Sequence, residues 1–361
     1  MKQKKTSIIK KTGMTIGVML LFLGAVIGYL LACEYKPAPE EEVELIGSTS
    51  QSLGVNQPFT ITSWNIGYGG LDASANFFMD GGKQVHPVSE AHVQNNMTHL
   101  AEQAAELNSD ILLLQEVDIN ADRSYAINEA ELITQALDYP VQSAFGYSFN
   151  VKFVPFPLPP IGHVESGILT LNSFPADGAT RIALDSSFKW PISAFQLKRC
   201  LLVERMPLAD SDKELVLINL HLEAYDNGEG KAKQTAQLVK LLNEEYEKGN
   251  YVIAGGDFNS MLPDVNPDLY PLKETEHFMP AVIDASILPE GWQYVTDDSV
   301  PTSRLLNHPY DAENLDNNQF YVIDGFILSP NVTLHQVETV DYQFAWSDHN
   351  PVRIQVELNT P

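Results

Sequence analysis

Carboxylates, amides and imidazoles recur at the ends of apolar runs in this chain, and the densest case is Ala254-Gly255-Gly256-Asp257-Phe258-Asn259-Ser260. It closes the run Tyr251 to Ala254, which reads as a buried strand, and its glycines let the backbone turn tightly while other groups approach the acid. If the extended path continues, Asp257 and Asn259, two apart, point the same way from a strand end, where α/β sheets place their chemistry. An ordinary Gly-Asp turn fits this piece equally well, so the rest of the chain must decide.

The same pattern returns elsewhere. Asn65 nearly closes Phe59 to Ile66, Glu116 and Asp118 close the apolar run from Ile111, and His221 ends Leu217 to Leu220. Asp324 stands inside the apolar stretch Phe320 to Leu328, and Asp348 and His349 precede the alternating run Val352 to Leu358. Arg123 and Arg199 follow strand ends, where each could clamp a phosphate bidentately or simply bridge a surface acid. Glu165 could pair with His221. Singly, each has a bland reading as a strand-end histidine, a turn acid or a solvated cap; their recurrence at polar tips of apolar strands favours a shared site.

The elements that must position these groups can be read from periodicity. Phe59 to Ile66 alternates and is β-branched, and a glycine-rich loop carries Phe77-Phe78-Met79. Ser89 can cap a helix whose apolar positions Val93, Met97, Leu100, Ala104 and Leu107 repeat at helical spacing. The strand Asp110 to Asp118 completes a β-α-β unit that could bring Asn65 and Glu116 to one edge. Further strands follow at Glu165 to Leu171, Lys198 to Met206 and Glu214 to His221, the last two as a hairpin. A helix with Leu238, Leu241, Leu242 and Tyr246 leads to Asp257. Between them, Val151 to Pro160 combines aromatics with prolines that a central strand excludes. It is either a loop folded over its own core or an exposed apolar rim at the mouth of a site. Hairpins in some places and helices in others imply mixed sheets and a layered α/β sandwich.

With 361 residues, 44% of them hydrophobic, the chain can build a sizeable core, and it shows no internal repeat. Lys2, Lys4, Lys5, Lys10 and Lys11 precede an uncharged stretch, Thr12 to Cys33, long enough for the roughly 20 residues a bilayer requires. The lysines place the N-terminus in the cytoplasm and the remainder outside, as a single-pass protein of the cell membrane. The stretch exceeds the roughly 7 to 15 apolar residues of a signal core. That favours an uncleaved anchor over a lipoprotein signal acylated at Cys33, which Leu30-Leu31-Ala32-Cys33 would otherwise suggest. Residues 34–57, with prolines and the acidic cluster Glu40, Glu41, Glu42 and Glu44, read as a solvated tether, leaving 58–361 as one domain.

All 47 acidic residues lie beyond Cys33 with 17 of the 22 basic ones, a formal charge of −30. Such a surface disfavours polyphosphate partners and suits divalent cations. Cys33 and Cys200 do not pair, one sitting at the membrane and the other in an apolar run.

Together, SWNI at 63–66, LLQEVD at 113–118, NLHL at 219–222, GGDFNS at 255–260, VIDGFILS at 322–329 and SDHNPV at 347–352 resemble the endonuclease/exonuclease/phosphatase superfamily. The resemblance implies a four-layer α/β/β/α sandwich of two mixed sheets and metal-dependent attack of water on a phosphate ester. By that similarity Glu116 is the foremost Mg²⁺ ligand, with Asn65 beside it and Asp348 helping to hold the ion. A hard ion such as Mg²⁺, or Mn²⁺ in its place, wants such oxygen donors. The resemblance gives Asp257 to the metal or the attacking water, and Asn259 to the phosphoryl oxygens. It makes His349, oriented by Asp324, the base or phosphate contact and leaves His221 to assist the leaving group. Two departures narrow the reading. The Pro-Ala-Trp-Cys-Asp-Arg-type motif of inositol 5-phosphatases is absent, and Gly325 replaces an aromatic residue that often follows the matching acid in nucleases.

The expected function is therefore a membrane-tethered, extracytoplasmic phosphodiesterase or phosphatase, with a phospholipid or sphingomyelin as an attractive substrate. A surface nuclease and a catalytically silent binding module are the alternatives.

Overall fold

In the computed structural model, residues 2–186, 188–209, 211–226 and 228–360 are described, with side chains from residue 11 onward. The N-terminal helix α1 (Lys2–Cys33) precedes two short strands, β1 (Glu40–Val43) and β2 (Ile46–Gly47). There follow β3 (Phe59–Asn65), α2 (Glu90–Leu107), β4 (Ile111–Ala121), α3 (Glu129–Ala136), β5 (Gln142–Val154), β6 (Gly162–Asn172), β7 (Gly178–Ala183), β8 (Cys200–Pro207) and β9 (Glu214–His221). The last third contains α4 (Glu229–Glu247), β10 (Tyr251–Asp257), β11 (Gln293–Val295), β12 (Asp324–Leu328), β13 (Val332–Thr339) and β14 (Val352–Leu358), with shorter bridges between.

These strands form two seven-stranded mixed sheets, ordered β1-β7-β8-β9-β10-β12-β11 and β13-β14-β3-β4-β6-β5-β2. Only β3–β4 and β9–β10, the pairs joined across helices, run parallel within them. Alternation explains the layering. Leu215 and Leu217 of β9 meet Ile61, Ile111 and Leu113 between the sheets, whereas Val216, Ile218 and Leu220 turn outward to Leu238 and Leu242 of α4. On the opposite side Val93, Met97 and Leu100 of α2 cover Leu112 and Leu114 of β4. The result is the four-layer α/β/β/α sandwich. Ser89 caps α2 as expected, its hydroxyl accepting from the His92 N–H.

Three expectations are corrected by backbone geometry. The segment 34–57, read as a solvated tether, lies along the domain. β1 pairs with β7 and β2 with β5, so it supplies one edge strand to each sheet, and Leu53 is buried. Main-chain pairing does not depend on outward-facing side chains, and Glu41 of this acidic strand meets Arg181 at 3.7 Å. Second, β4 continues past its acids to Ala121, and Val151 to Val154 belong to β5, so only the part from Pro155 is loop. Third, Asp324 begins β12 rather than lying within a continuous strand from Phe320.

Within Lys11–Cys33 of α1 an 18-residue window reaches a mean hydropathy of 2.5, and none of that window is buried against the domain. This helix has the length and composition of a single membrane span, as an anchor or a signal sequence would. The side chains of Lys2, Lys4, Lys5 and Lys10 lie outside the described residues.

Candidate active site

Strand register brings the chemistry together. In β10, Asp257 is level with His221 of parallel β9 on one side and with Asp324 of antiparallel β12 on the other. In the second sheet, Asn65 of β3 is level with Gln115 of β4. A buried amide clamp ties the two sheets beneath this edge: Gln115 Nε2 donates to Asn219 Oδ1 at 2.8 Å, and Asn219 Nδ2 donates to the Leu169 carbonyl at 3.0 Å. The clamp therefore fixes Glu116, next to Gln115, against His221, two residues beyond Asn219.

Glu116 reaches the site through a β-bulge. The β4–β6 register shifts between Leu114 and Val117, and Glu116 has φ of 53°, a left-handed conformation uncommon outside glycine. Leu112 and Leu114 face α2, and strict alternation would send Glu116 after them. The extra residue gives that place to Val117 and re-aims the carboxylate at the cavity. Asn259 also has positive φ, 48°, so the extended path expected beyond Asp257 ends there. Its N–H donates to Asp257 Oδ1 at 2.8 Å and its Nδ2 to the Leu222 carbonyl at 2.9 Å, tying two strand ends together. The last loop is pinned by Trp64 Nε1 donating to the His349 carbonyl and by Ser347 Oγ donating to the Asn65 carbonyl.

Asp257 is the hub. Its Oδ2 lies 3.4 Å from His221 Nε2, 3.8 Å from His349 Nε2 and 3.1 Å from Asn65 Nδ2, which donates to it. Burial, reinforced by Asp324, pushes its carboxyl up to about 6, against the pull of His349. His349 Nδ1 is 2.9 Å from Asp324 Oδ2. Burial works against a charged His349 ring, but the Asp324 carboxylate and its hydrogen bond outweigh it and hold the imidazole well above its usual pKa. His221 goes the other way: burial first, then Arg199 and His349, drives it well below the ordinary histidine value. Two imidazoles flanking one acid are thus biased to opposite charge states, the arrangement acid-base chemistry uses.

The donor set suits a divalent metal on the Glu116–Asp348 side. Asp348 Oδ1 is buried without a hydrogen-bond partner, and burial together with Glu116, opposed by His349, raises this carboxyl to about 7. An ion between two such carboxylates would satisfy the oxygen and neutralise the repulsion. Asn65 stands beside Glu116, as expected, but its Nδ2 donates to Glu116 Oε1 at 3.2 Å while its Oδ1 accepts from Gly67 N–H. It positions that carboxylate. Among the described residues, Asp257, Asp324 and His349 also bring one ligand atom each within 4.8 Å of one another. The bond from Asp324 to His349 Nδ1 orients the ring and leaves Nε2 facing Asp257 and Ser303.

Both arginines line the cavity but are occupied. Arg123 makes a bidentate pair with Asp118 at 2.8 and 2.9 Å and stacks on Tyr68, while Arg199 lies 3.8 Å from Glu223 and 3.4 Å from the His221 carbonyl. It is Arg199 Nε that faces Glu223 Oε1, and this nitrogen is buried and makes no hydrogen bond. Glu165 does not pair with His221. It faces His163 at 3.2 Å, because β6 carries it away from the β9 edge.

Two residues escaped the sequence reading. Ser303 Oγ lies 3.2 Å from His349 Nε2, and Lys231, in the first turn of α4, donates to the Asn259 carbonyl at 3.1 Å. Neither ends an apolar run, so no local pattern marks them. The cavity measures about 710 Å³, with Glu116, His221, Asp257, Asp348 and His349 on one side and Phe77, Phe149, Phe156 and Phe278 among its apolar wall.

No curated protein matches the chain by sequence. Among solved structures, an endonuclease/exonuclease/phosphatase from Beutenbergia cavernae DSM 12333 superposes with a TM-score of 0.57 at 14% identity, covering 84% of this chain and 72% of that one. The endonuclease/exonuclease/phosphatase from Bacteroides vulgatus gives 0.52 at 14% identity, over 84% and 100% of the two chains. A family protein from Leptotrichia buccalis C-1013-b gives 0.51 at 12% identity, over 83% and 100%. At these identities the likeness speaks for the fold alone. The family assignment comes from the sequence itself: residues 62–360 match the model of the Endonuclease/Exonuclease/phosphatase family, and the chain belongs to that family.

Proposed function

We propose that this chain is a divalent-metal-dependent hydrolase of phosphate esters, held at a membrane by α1 with its domain on the extracytoplasmic side. The observation that carries the reading is the Asp257 carboxylate between His221 and His349, with Asp324 behind the second ring. Glu116 and Asp348 would hold Mg²⁺ or Mn²⁺. The ion would supply charge to the phosphoryl oxygens and polarise the ester.

Asp257, raised toward neutrality, accepts the proton of the attacking water as its oxygen bonds to phosphorus. His349, kept cationic by Asp324, faces the phosphoryl oxygens, where negative charge grows. His221, kept neutral, donates a hydrogen bond to the departing oxygen as the phosphorus–oxygen bond breaks, and the freed alkoxide then takes a proton from solvent water while Asp257 returns its own to solvent. Asn65 and Asn259 position Glu116 and Asp257 for these roles.

A surface nuclease is the second reading, disfavoured by the −30 charge beyond Cys33 and by the cavity's aromatic wall. A silent binding module would have no need for four acids and two oppositely biased histidines. The test is to assay the full chain in detergent, with Mg²⁺ or Mn²⁺, on plasmid DNA, sphingomyelin vesicles and bis(p-nitrophenyl) phosphate, beside Glu116→Ala and His349→Ala. Metal-dependent turnover lost in both variants supports the hydrolase. Activity confined to DNA would install the nuclease, and inactivity on all three would leave the binding module.

A further inference from the structure

The segment that follows the membrane span is tied to one wall of the cavity. Glu34, immediately after Cys33, accepts from Ser193 Oγ at 3.3 Å and from Lys198 Nζ at 3.5 Å, and α1 packs against the turn Ile192–Phe195. Phe188, Phe195 and Leu197 of that loop line the cavity, as do Pro155, Phe156 and Pro157 of the loop between β5 and β6. The loops share one apolar cluster, in which Phe195, Leu197 and Ile161 pack on Phe149, Val151 and Val154. The cavity mouth therefore sits beside the end of the span.

Outward from that cluster, both loops present large apolar side chains to solvent. Phe156 and Leu158 are 71% and 76% exposed, and Trp190 and Ile192 are 46% and 56% exposed. A folded domain rarely leaves such a group uncovered without a surface for it to meet. The charge pattern says which surface. No Asp or Glu occurs between Asp138 and Glu165 or between Asp185 and Glu204, in a chain with 47 acids, and Lys152 and Lys189 stand exposed within these stretches. Elsewhere the domain's acidity repels an anionic bilayer; here an apolar rim with flanking lysines matches a lipid interface, with alkyl groups entering and ammonium groups staying at the headgroups.

We infer that the rim formed by residues 155–161 and 188–197 seats in the bilayer crossed by the chain's own α1, so that the cavity opens onto membrane lipids and takes a phosphoester lipid as substrate. This substrate class rests on the hydrolase reading above. The polar side of the cavity would meet the headgroup phosphate while the aromatic wall accommodates apolar lipid atoms, shortening the distance a lipid must rise from the membrane.

The rim and the chemistry can be tested separately. The full chain is reconstituted in nanodiscs of phosphatidylcholine, phosphatidylglycerol and sphingomyelin with Mg²⁺, and compared with a triple variant, Leu158→Ser, Trp190→Ser and Ile192→Ser, whose positions lie outside the cavity lining. The variant should turn over nanodisc lipid about tenfold more slowly or worse while hydrolysing bis(p-nitrophenyl) phosphate at the wild-type rate. Independently of activity, brominated phosphatidylcholine should quench a fluorescence component that disappears in Trp190→Phe. Absence of that component, or wild-type lipid turnover by the triple variant, overturns the seated rim. Turnover of the soluble ester with no lipid turned over removes the lipid substrate and leaves the hydrolase standing, whereas inactivity on both removes the hydrolase and the lipid substrate with it. A detergent-solubilised dimer that the triple variant disperses would assign the rim to a second copy and refute the inference.

Discussion

His349 Nδ1 lies 2.9 Å from Asp324 Oδ2, and both side chains are all but sealed from solvent. One hydrogen bond thus sets the ring's orientation, its tautomer and its bias toward the charged state. Asp324→Asn preserves shape while removing the charge, and it should lower kcat by about 10²- to 10⁴-fold with far less effect on KM. Steady-state kinetics on bis(p-nitrophenyl) phosphate provide the check. An unchanged kcat would show that the ring does not need its carboxylate.

The Asp348 carboxyl, pushed up to about 7 by burial and Glu116 against the opposition of His349, makes the metal-free site a strained one. A raised acid binds its proton more tightly when folded, so this group costs stability as pH rises through the unfolded aspartate value toward 7. Asp348→Asn should therefore raise Tm in EDTA at pH 8. Adding Mg²⁺ or Mn²⁺ should lift the wild-type Tm and leave the variant's nearly unmoved. If thermal melts show equal metal-induced shifts in both proteins, Asp348 is not a ligand.

The parts of this architecture that were legible in the sequence are those where one residue's surroundings follow from its neighbours. β9 and β10 show themselves as short uninterrupted apolar runs, Leu215 to Ile218 and Tyr251 to Ala254, and Asp257, His221 and His349 stand out as polar groups next to such runs. The bulge at Glu116 was not legible, because nothing local asks a glutamate for positive φ; pairing with β6 imposes it. β1 was hidden for a related reason. Its backbone pairs with β7 whatever its side chains are, so Glu40 to Glu42 look solvated until Arg181 is seen across the edge. Ser303 acquires meaning only when a distant loop lays it beside His349.

Gly256 shows how tightly the register around Asp257 is held. Its φ is 153°, and a Cβ there would run into the Leu220 carbonyl, a backbone atom on the neighbouring strand that cannot swing aside. Gly256→Ala must therefore separate β9 from β10 at the level of His221 and Asp257. It should cost about 3 kcal/mol or more of stability, measurable as a shift in the urea midpoint, with activity lost as well. A near-native midpoint would mean that the strand ends are looser than their register indicates.

Away from the site, Glu245 anchors α4 to the sheet through Arg205 at 2.6 Å, Lys248 at 2.8 Å and Asn250 at 2.9 Å. Burial alone would raise its carboxyl, but these hydrogen bonds prevail and hold it down at about 2. A depressed acid stabilises the fold fully above the unfolded glutamate pKa and loses that contribution as pH falls through the folded one. Glu245→Gln should accordingly cost about 1–2 kcal/mol at neutral pH, a charge-assisted value discounted for the partly exposed Arg205. The gap should narrow steadily from about pH 4.5 toward pH 2. Urea denaturation of both proteins across that range measures it, and a constant gap would show that packing, not ionisation, is what Glu245 contributes.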